Sequence, residues 1–196
     1  MAKILLLFAS SYGQTAKVAD HLALRWRGQG HEVVCRRLDQ NAEPAPAGFD
    51  AVILGSRLAI RYAPSLKRYV EKYRTALATK RSAFLSVSMS AASPDPKVGS
   101  ELKAKIGALF HEARWSPDHV GSFAGALPYS RYDPVTRAVM KLISSRAGHP
   151  TDTSRDYELT DWAKVDEFAD NVSKGLTQPN SHDEESGQFP AAAVLH

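Results

Sequence analysis

Ser10-Ser11-Tyr12-Gly13-Gln14-Thr15 is the stretch best suited to chemistry: four hydroxyl side chains around one glycine, directly after the apolar run Ile4 to Ala9. A buried strand that breaks into such a loop and then starts a helix points backbone N–H groups and hydroxyls at one spot. That spot is the positive end of a helix dipole, which suits a phosphate. The loop is neither Gly-x-Gly-x-x-Gly nor Gly-x-x-x-x-Gly-Lys-Ser/Thr, so the dinucleotide and P-loop readings lack their motifs. No Lys or Arg lies between Ser10 and Thr15, and the expectation is binding through neutral donors. The alternative is an ordinary strand–turn–helix junction with polar caps.

Ligands of open α/β sheets sit at the carboxyl ends of strands. That rule adds two loops to the first. One, Ser56–Ala63, carries Arg57, Ile60, Arg61 and Tyr62; the tyrosine could stack on a flat ring or be a plain surface aromatic. The other, Ser88-Met89-Ser90-Ala91-Ala92-Ser93-Pro94-Asp95, is small and hydroxylic, so its backbone can approach a ring. Other chemistries lack support. His21, His31, His111, His119 and His149 show no metal-ligand spacing, so no metal is expected, and no Gly-x-Ser-x-Gly elbow is present.

The elements that position these loops alternate. Strands are expected at Lys3–Ala9, Glu32–Leu38, Ala51–Gly55, Ala83–Ser88 and from His119 to Ala124. Amphipathic helices are expected at about Gly13–Arg27, after Pro64, at about Ser100–Ala113 and after a Thr160 cap. Five apolar strands alternating with helices predict an α/β fold, a doubly wound five-stranded parallel sheet covered on both faces, over residues 1–177. The polar tail, 178–196, is expected to be disordered.

The chain has 196 residues, 43% of them hydrophobic, enough for one domain with a sizeable core. Cys35 is the single cysteine, which excludes a disulfide framework; it is expected to pack on a strand. No apolar run is long enough to span a bilayer and no signal peptide is evident, so a cytoplasmic or peripheral protein is expected. Net charge is +4, and the last nineteen residues hold three acids and no Lys or Arg, which leaves +7 on residues 1–177. A basic body favours anionic partners, among them acidic lipid.

Residues 127–157 do not fit the alternation. Asp133 and Pro134 open a helix on which Val135, Ala138, Val139, Leu142 and Ile143 form one face. Arg131, Arg137, Lys141 and Arg146 supply charge around it. A basic amphipathic insertion reads as a membrane or partner contact, the alternative being a helix packed on its own domain.

The pattern as a whole resembles the flavodoxin-type, quinone-linked protoporphyrinogen oxidases of bacteria. The matching stretches are Ser10-x-x-Gly-Gln-Thr, Ala124-Gly125-Ala126-Leu127, Tyr129-Ser130-Arg131-Tyr132, Met140-Lys141-Leu142-Ile143, Thr151-Asp152-Thr153 and Tyr157 to Trp162. The resemblance implies FMN held by Ser10–Thr15, by Ile60, Arg61 and Tyr62, and by Ser88, Met89, Ser90, Ala91 and Ala92. It also implies oxidation of protoporphyrinogen IX in haem biosynthesis, with electrons passed to a membrane quinone. The protein would then lie peripherally on the anionic cytoplasmic face of the inner membrane, through the insertion, with no nucleic-acid partner. The Ser88–Asp95 loop lacks the aromatic that many flavodoxins place there. Two other functions compete: a flavodoxin-type electron carrier, disfavoured by the basic body, and an NAD(P)H:quinone reductase, which would need a nicotinamide site.

Overall fold

The computed structural model describes residues 1–38, 43–58, 62–146 and 148–177, with Arg146 and Thr177 through their backbone only. Ile60, Arg61 and the 178–196 tail lie outside the described residues.

The elements run β1 (Lys3–Ala9), α1 (Gln14–Gly28), β2 (Glu32–Arg37), β3 (Ala51–Arg57), α2 (Pro64–Ala78), β4 (Arg81–Ser88), α3 (Pro96–Ala113) and β5 (His119–Ala124). Then come β6 (Ala126–Leu127), α4 (Pro134–Arg146), β7 (Tyr157–Glu158) and α5 (Trp162–Thr177). The first five strands form one parallel sheet in the order β2-β1-β3-β4-β5. Pairing places Leu6 of β1 between Cys35 of β2 and Ile53 of β3. The order reverses between β1 and β3, so the loops after those strands open at the switch point where ligands bind.

Side chains alternate across a strand, and β1 uses both sets. Ile4, Leu6 and Phe8 pack with Val18, Leu22 and Trp26 of α1 and with Val165, Phe168 and Val172 of α5. Leu5 and Leu7 pack on the opposite face with Leu66 and Tyr69 of α2 and Leu102 and Ile106 of α3. This continuous apolar run, which does not alternate with polar residues, is what a sheet buried on both sides requires. Cys35 is half-buried against the first cluster; burial, then Asp20, pushes its thiol up to about 11, so it is not reactive at neutral pH.

Several boundaries differ from expectation by one or two residues, and three further differences have a plain cause. α3 starts at Pro96, not Ser100, because the Asp95 carboxylate accepts from Lys97 N at 2.8 Å and Pro96 suits a first helical position. α5 is capped by Asp161, which accepts from Lys164 N at 3.3 Å, whereas the Thr160 hydroxyl donates to Ala124 O at 2.8 Å. β6 and β7 were not foreseen: Ala126 pairs with Glu158 and Leu127 with Tyr157, antiparallel. Two-residue strands are too short to show periodicity.

Candidate flavin site and its insertion

β1 ends and the chain turns at Gly13, whose φ of 99° is open to glycine and costly for other residues. Ser10, buried at 8% exposure, accepts from Gly13 N at 3.2 Å and shapes the turn. α1 then begins with no side-chain cap and no acid in its first turn. By contrast α3, α4 and α5 carry Asp95, Asp133 and Asp161 on their first N–H groups. The first-turn N–H groups of α1 therefore remain available to an anion, with Thr15 buried beside them at 2% exposure. Ser11 and Tyr12 are exposed at the rim.

Positive charge reaches the loop from distant elements. Arg37, at the end of β2, donates to Ser10 O at 2.6 Å, and Arg131, from the insertion, donates to Tyr12 O at 2.9 Å. Two guanidinium groups thus hold carbonyls of the loop and add positive potential beside it. A Cβ on Gly13 would come within 3.3 Å of Arg131 Nη1, a second reason for glycine there. The Gln14 side chain is diverted: its amide donates to Thr160 Oγ1 at 2.7 Å and Glu158 Oε1 at 3.2 Å, leaving its backbone to the site. Lys17 meets the same Glu158 at 2.9 Å. Burial pushes the Glu158 carboxyl up, but the bonds from Lys17 and Gln14 outweigh it and hold it below the usual range.

On the ring side, the Ser88 hydroxyl accepts from Ala91 N at 3.3 Å and caps a single 3-10 turn, Met89–Ala92. Met89, Ser90, Ala91 and Ala92 are half-buried, so this wall is a fixed turn, where an open loop was expected. Tyr62 is half-buried: its hydroxyl lies 3.1 Å from Ser86 Oγ and its ring meets Phe84 edge-on at 5.5 Å, which holds the phenol in one place. Burial raises its ionisation above the ordinary phenol value.

The insertion has its own small core of Leu127, Tyr129 and Tyr132, with Met89, Met140 and Tyr157 against it. Tyr132 is 7% exposed and meets Tyr12 edge-on at 5.1 Å; burial, then Tyr12, pushes its hydroxyl up to about 12. Asp156 accepts from Ser130 N and Ser130 Oγ, both at 2.8 Å. Arg137 does not face outward: it donates to Tyr129 O at 3.0 Å and Tyr132 O at 3.1 Å. Arg131 is exposed while its Nη1 ties the loop, and Arg137 is half-buried against the two carbonyls. Lys141 is exposed, and the Arg146 side chain lies outside the described residues. The apolar side of α4 is not packed on the domain: Val135, Val139, Leu142 and Ile143 are exposed by 73%, 51%, 54% and 48%.

A family model described as a flavodoxin domain matches residues 5–154. The chain belongs to the flavodoxin family. At full length it is similar to a protein of Escherichia coli (strain K12) named protoporphyrinogen IX dehydrogenase [quinone], 30% identical over 90% of this chain and 98% of that one. A Leishmania major protein of the same name is 30% identical over 87% of this chain and 74% of its own. The crystal structure of oxidised flavodoxin 1 from Bacillus cereus covers 91% of this chain and all of its own, with a TM-score of 0.52 at 16% identity, and supports the fold.

FMN is the flavodoxin cofactor, and this chain's residues fit it. The uncapped first turn of α1, Ser10 and Thr15 suit its phosphate, and the Met89–Ala92 turn is the wall for its ring. Sequence reading missed Arg37, Tyr132 and Glu158, because each reaches the site from a distant element and no local spacing marks it.

Proposed function

We propose that the protein oxidises protoporphyrinogen IX to protoporphyrin IX in haem biosynthesis, passing the electrons to a membrane quinone. The observation that carries this reading is the reach of the similarity: it spans 98% of a relative named for that reaction and includes the insertion. FMN, when bound, supplies the hydride acceptance and onward electron transfer. The chain's own part is to hold the phosphate with first-turn N–H groups and hydroxyls and to fix the loop with Arg37 and Arg131. It also walls the ring with a rigid turn and shields one side with the insertion's tyrosines.

The same reading puts the protein on the anionic cytoplasmic face of the inner membrane. α4 carries an unpartnered aliphatic side with Lys141 on its flank. Such a surface buries aliphatic area at the headgroup boundary, and each basic residue near anionic lipid adds about 1 kcal/mol.

Anaerobic mixing tests the reaction. Protoporphyrinogen should bleach the bound flavin and a quinone should restore it, whereas NADPH should do neither. Rapid reduction by NADPH alone would favour a nicotinamide-linked quinone reductase. Sedimentation with acidic vesicles tests the surface: Val139→Asn with Leu142→Asn should abolish it and leave FMN content unchanged.

A further inference from the structure

Behind α4 lies a groove of about 480 Å³, the scale of a small-molecule pocket, between the insertion and the start of α3. Met89, Met140, Ile143, Pro94 and Val98 supply an apolar lining. Two thioethers and branched aliphatics suit a flat, polarisable ring. Ser144 and His149 in its wall each hold a buried polar atom, Oγ and Nε2, with no hydrogen-bond partner among the described residues. Ser144 is 1% exposed.

Their placement is built by the end of α4. Gly148, at φ 69°, reverses the chain, and His149 N donates back to Ser144 O at 2.8 Å while Gly148 N reaches Ser145 O at 3.4 Å. This pair of bonds is the Schellman closure of a helix, and it sets the histidine beside the serine. Buried polar groups are normally paired, and two orphans in the wall of one groove call for a ligand with an acceptor.

We propose that this groove is the quinone site, with Ser144 Oγ and His149 Nε2 donating to a quinone carbonyl. The inference rests on the reading of a quinone as electron acceptor. A carbonyl oxygen has two lone pairs and accepts from both donors, and the ring fills the apolar remainder. Asp95 and Glu101 line the same groove and repel carboxylates, which disfavours a porphyrinogen with its propionates. Ile143 lines the groove and is also 48% exposed beside Leu142, so the pocket opens at the edge of the aliphatic surface where a lipid-borne quinone arrives. Met89 and Ser90 belong both to the groove and to the flavin wall, so donor and acceptor sites are contiguous.

The test uses the FMN-loaded protein with menadione and decylubiquinone. Ser144→Ala with His149→Leu should raise the Kd and KM for both quinones about tenfold or more, the loss of two hydrogen bonds. The rate of flavin reduction by protoporphyrinogen should not change. Val98→Trp, which fills the groove from the α3 wall and touches neither donor, should weaken quinone binding as well. Unchanged quinone Kd in both variants overturns the site. So does a fall in protoporphyrinogen-driven reduction with quinone binding intact, because the groove would then hold the tetrapyrrole. If protoporphyrinogen never reduces the wild-type flavin yet menadione binding needs Ser144 and His149, the substrate reading fails and the groove stands.

Discussion

α1 and α4 are both amphipathic, of 15 and 13 residues, and they face opposite ways. α1 buries Val18, Ala19, Leu22 and Trp26 completely under the sheet and leaves its N-terminus uncapped. α4 has its N-terminus closed by Asp133, which accepts from Val135 N and Thr136 N at 3.0 Å, and turns its aliphatic side outward. Its inward side is Arg137, Met140 and Ser144. In one helix the side chains make the fold and the end is kept for a ligand. In the other the end is used by the fold and the aliphatic side chains are left exposed. Amphipathicity alone therefore does not say which side of a helix is structural.

The open end of α1 should give the largest effect. Ser10→Ala with Thr15→Ala removes two hydrogen bonds to a charged phosphate, about 1.5–3 kcal/mol each, so FMN affinity should fall by roughly two to four orders of magnitude. Fluorescence titration of the apoprotein measures it, and an unchanged affinity would move the phosphate elsewhere.

The side chains come next. Leu22→Ala should cost about 2–5 kcal/mol of unfolding free energy in urea, a cavity in a packed core. Leu142→Ala should stay within about 0.5 kcal/mol, as surface changes do. Equal losses would mean that α4 is packed like α1 and would break the comparison.

Arg131 joins the two regions through Tyr12 O. Arg131→Ala should weaken FMN by about 1–2 kcal/mol, roughly five- to thirty-fold in Kd, and the effect should shrink as salt screens the charge. Arg131→Lys should recover only part of it, because a lysine cannot keep the fixed planar geometry of the guanidinium.

The smallest effect concerns pH and belongs to the sheet side alone. Burial lowers the His119 imidazole below its ordinary value; Asp118 opposes and Arg81 assists. The unfolded chain then binds the proton more readily, so the contribution is fully present above about pH 6.5 and fades as pH falls below it. His119→Gln should flatten the unfolding midpoint between about pH 7 and 5, while FMN affinity should be unaffected. A slope that survives the substitution would assign it to another group.

The sheet was legible because each of its strands is an apolar run and each flanking helix repeats at helical spacing. Lys3–Ala9 is legible to the residue, and the fifth strand begins near His119 and ends at Ala124 as expected. The phosphate loop was legible because its donors are local: Ser10, Gly13 and Thr15 act through the backbone turn they themselves make. The neighbours of that loop were not. Arg37 and Arg131 reach it across 27 and 119 residues, and Gln14 is diverted by partners 144 and 146 residues away. Such contacts follow from topology, which periodicity does not encode. The insertion's aliphatic stripe was visible in sequence, but its direction was not, because it depends on Arg137 finding the carbonyls of Tyr129 and Tyr132.

The short ladder of β6 and β7 makes the insertion a cassette. The chain leaves and returns through facing residues, Leu127 opposite Tyr157 and Ala126 opposite Glu158, so residues 128–156 could be exchanged for a tight hairpin turn without shifting the register of any sheet strand. The cost of closing the excursion grows only slowly with its length. A flavodoxin scaffold that carried counterparts of Gln14 and Lys17 to receive Glu158 would accept the same excursion as a graft. The exchange would also reach the flavin cradle beneath, because Arg131, which holds Tyr12 O, travels with the excursion.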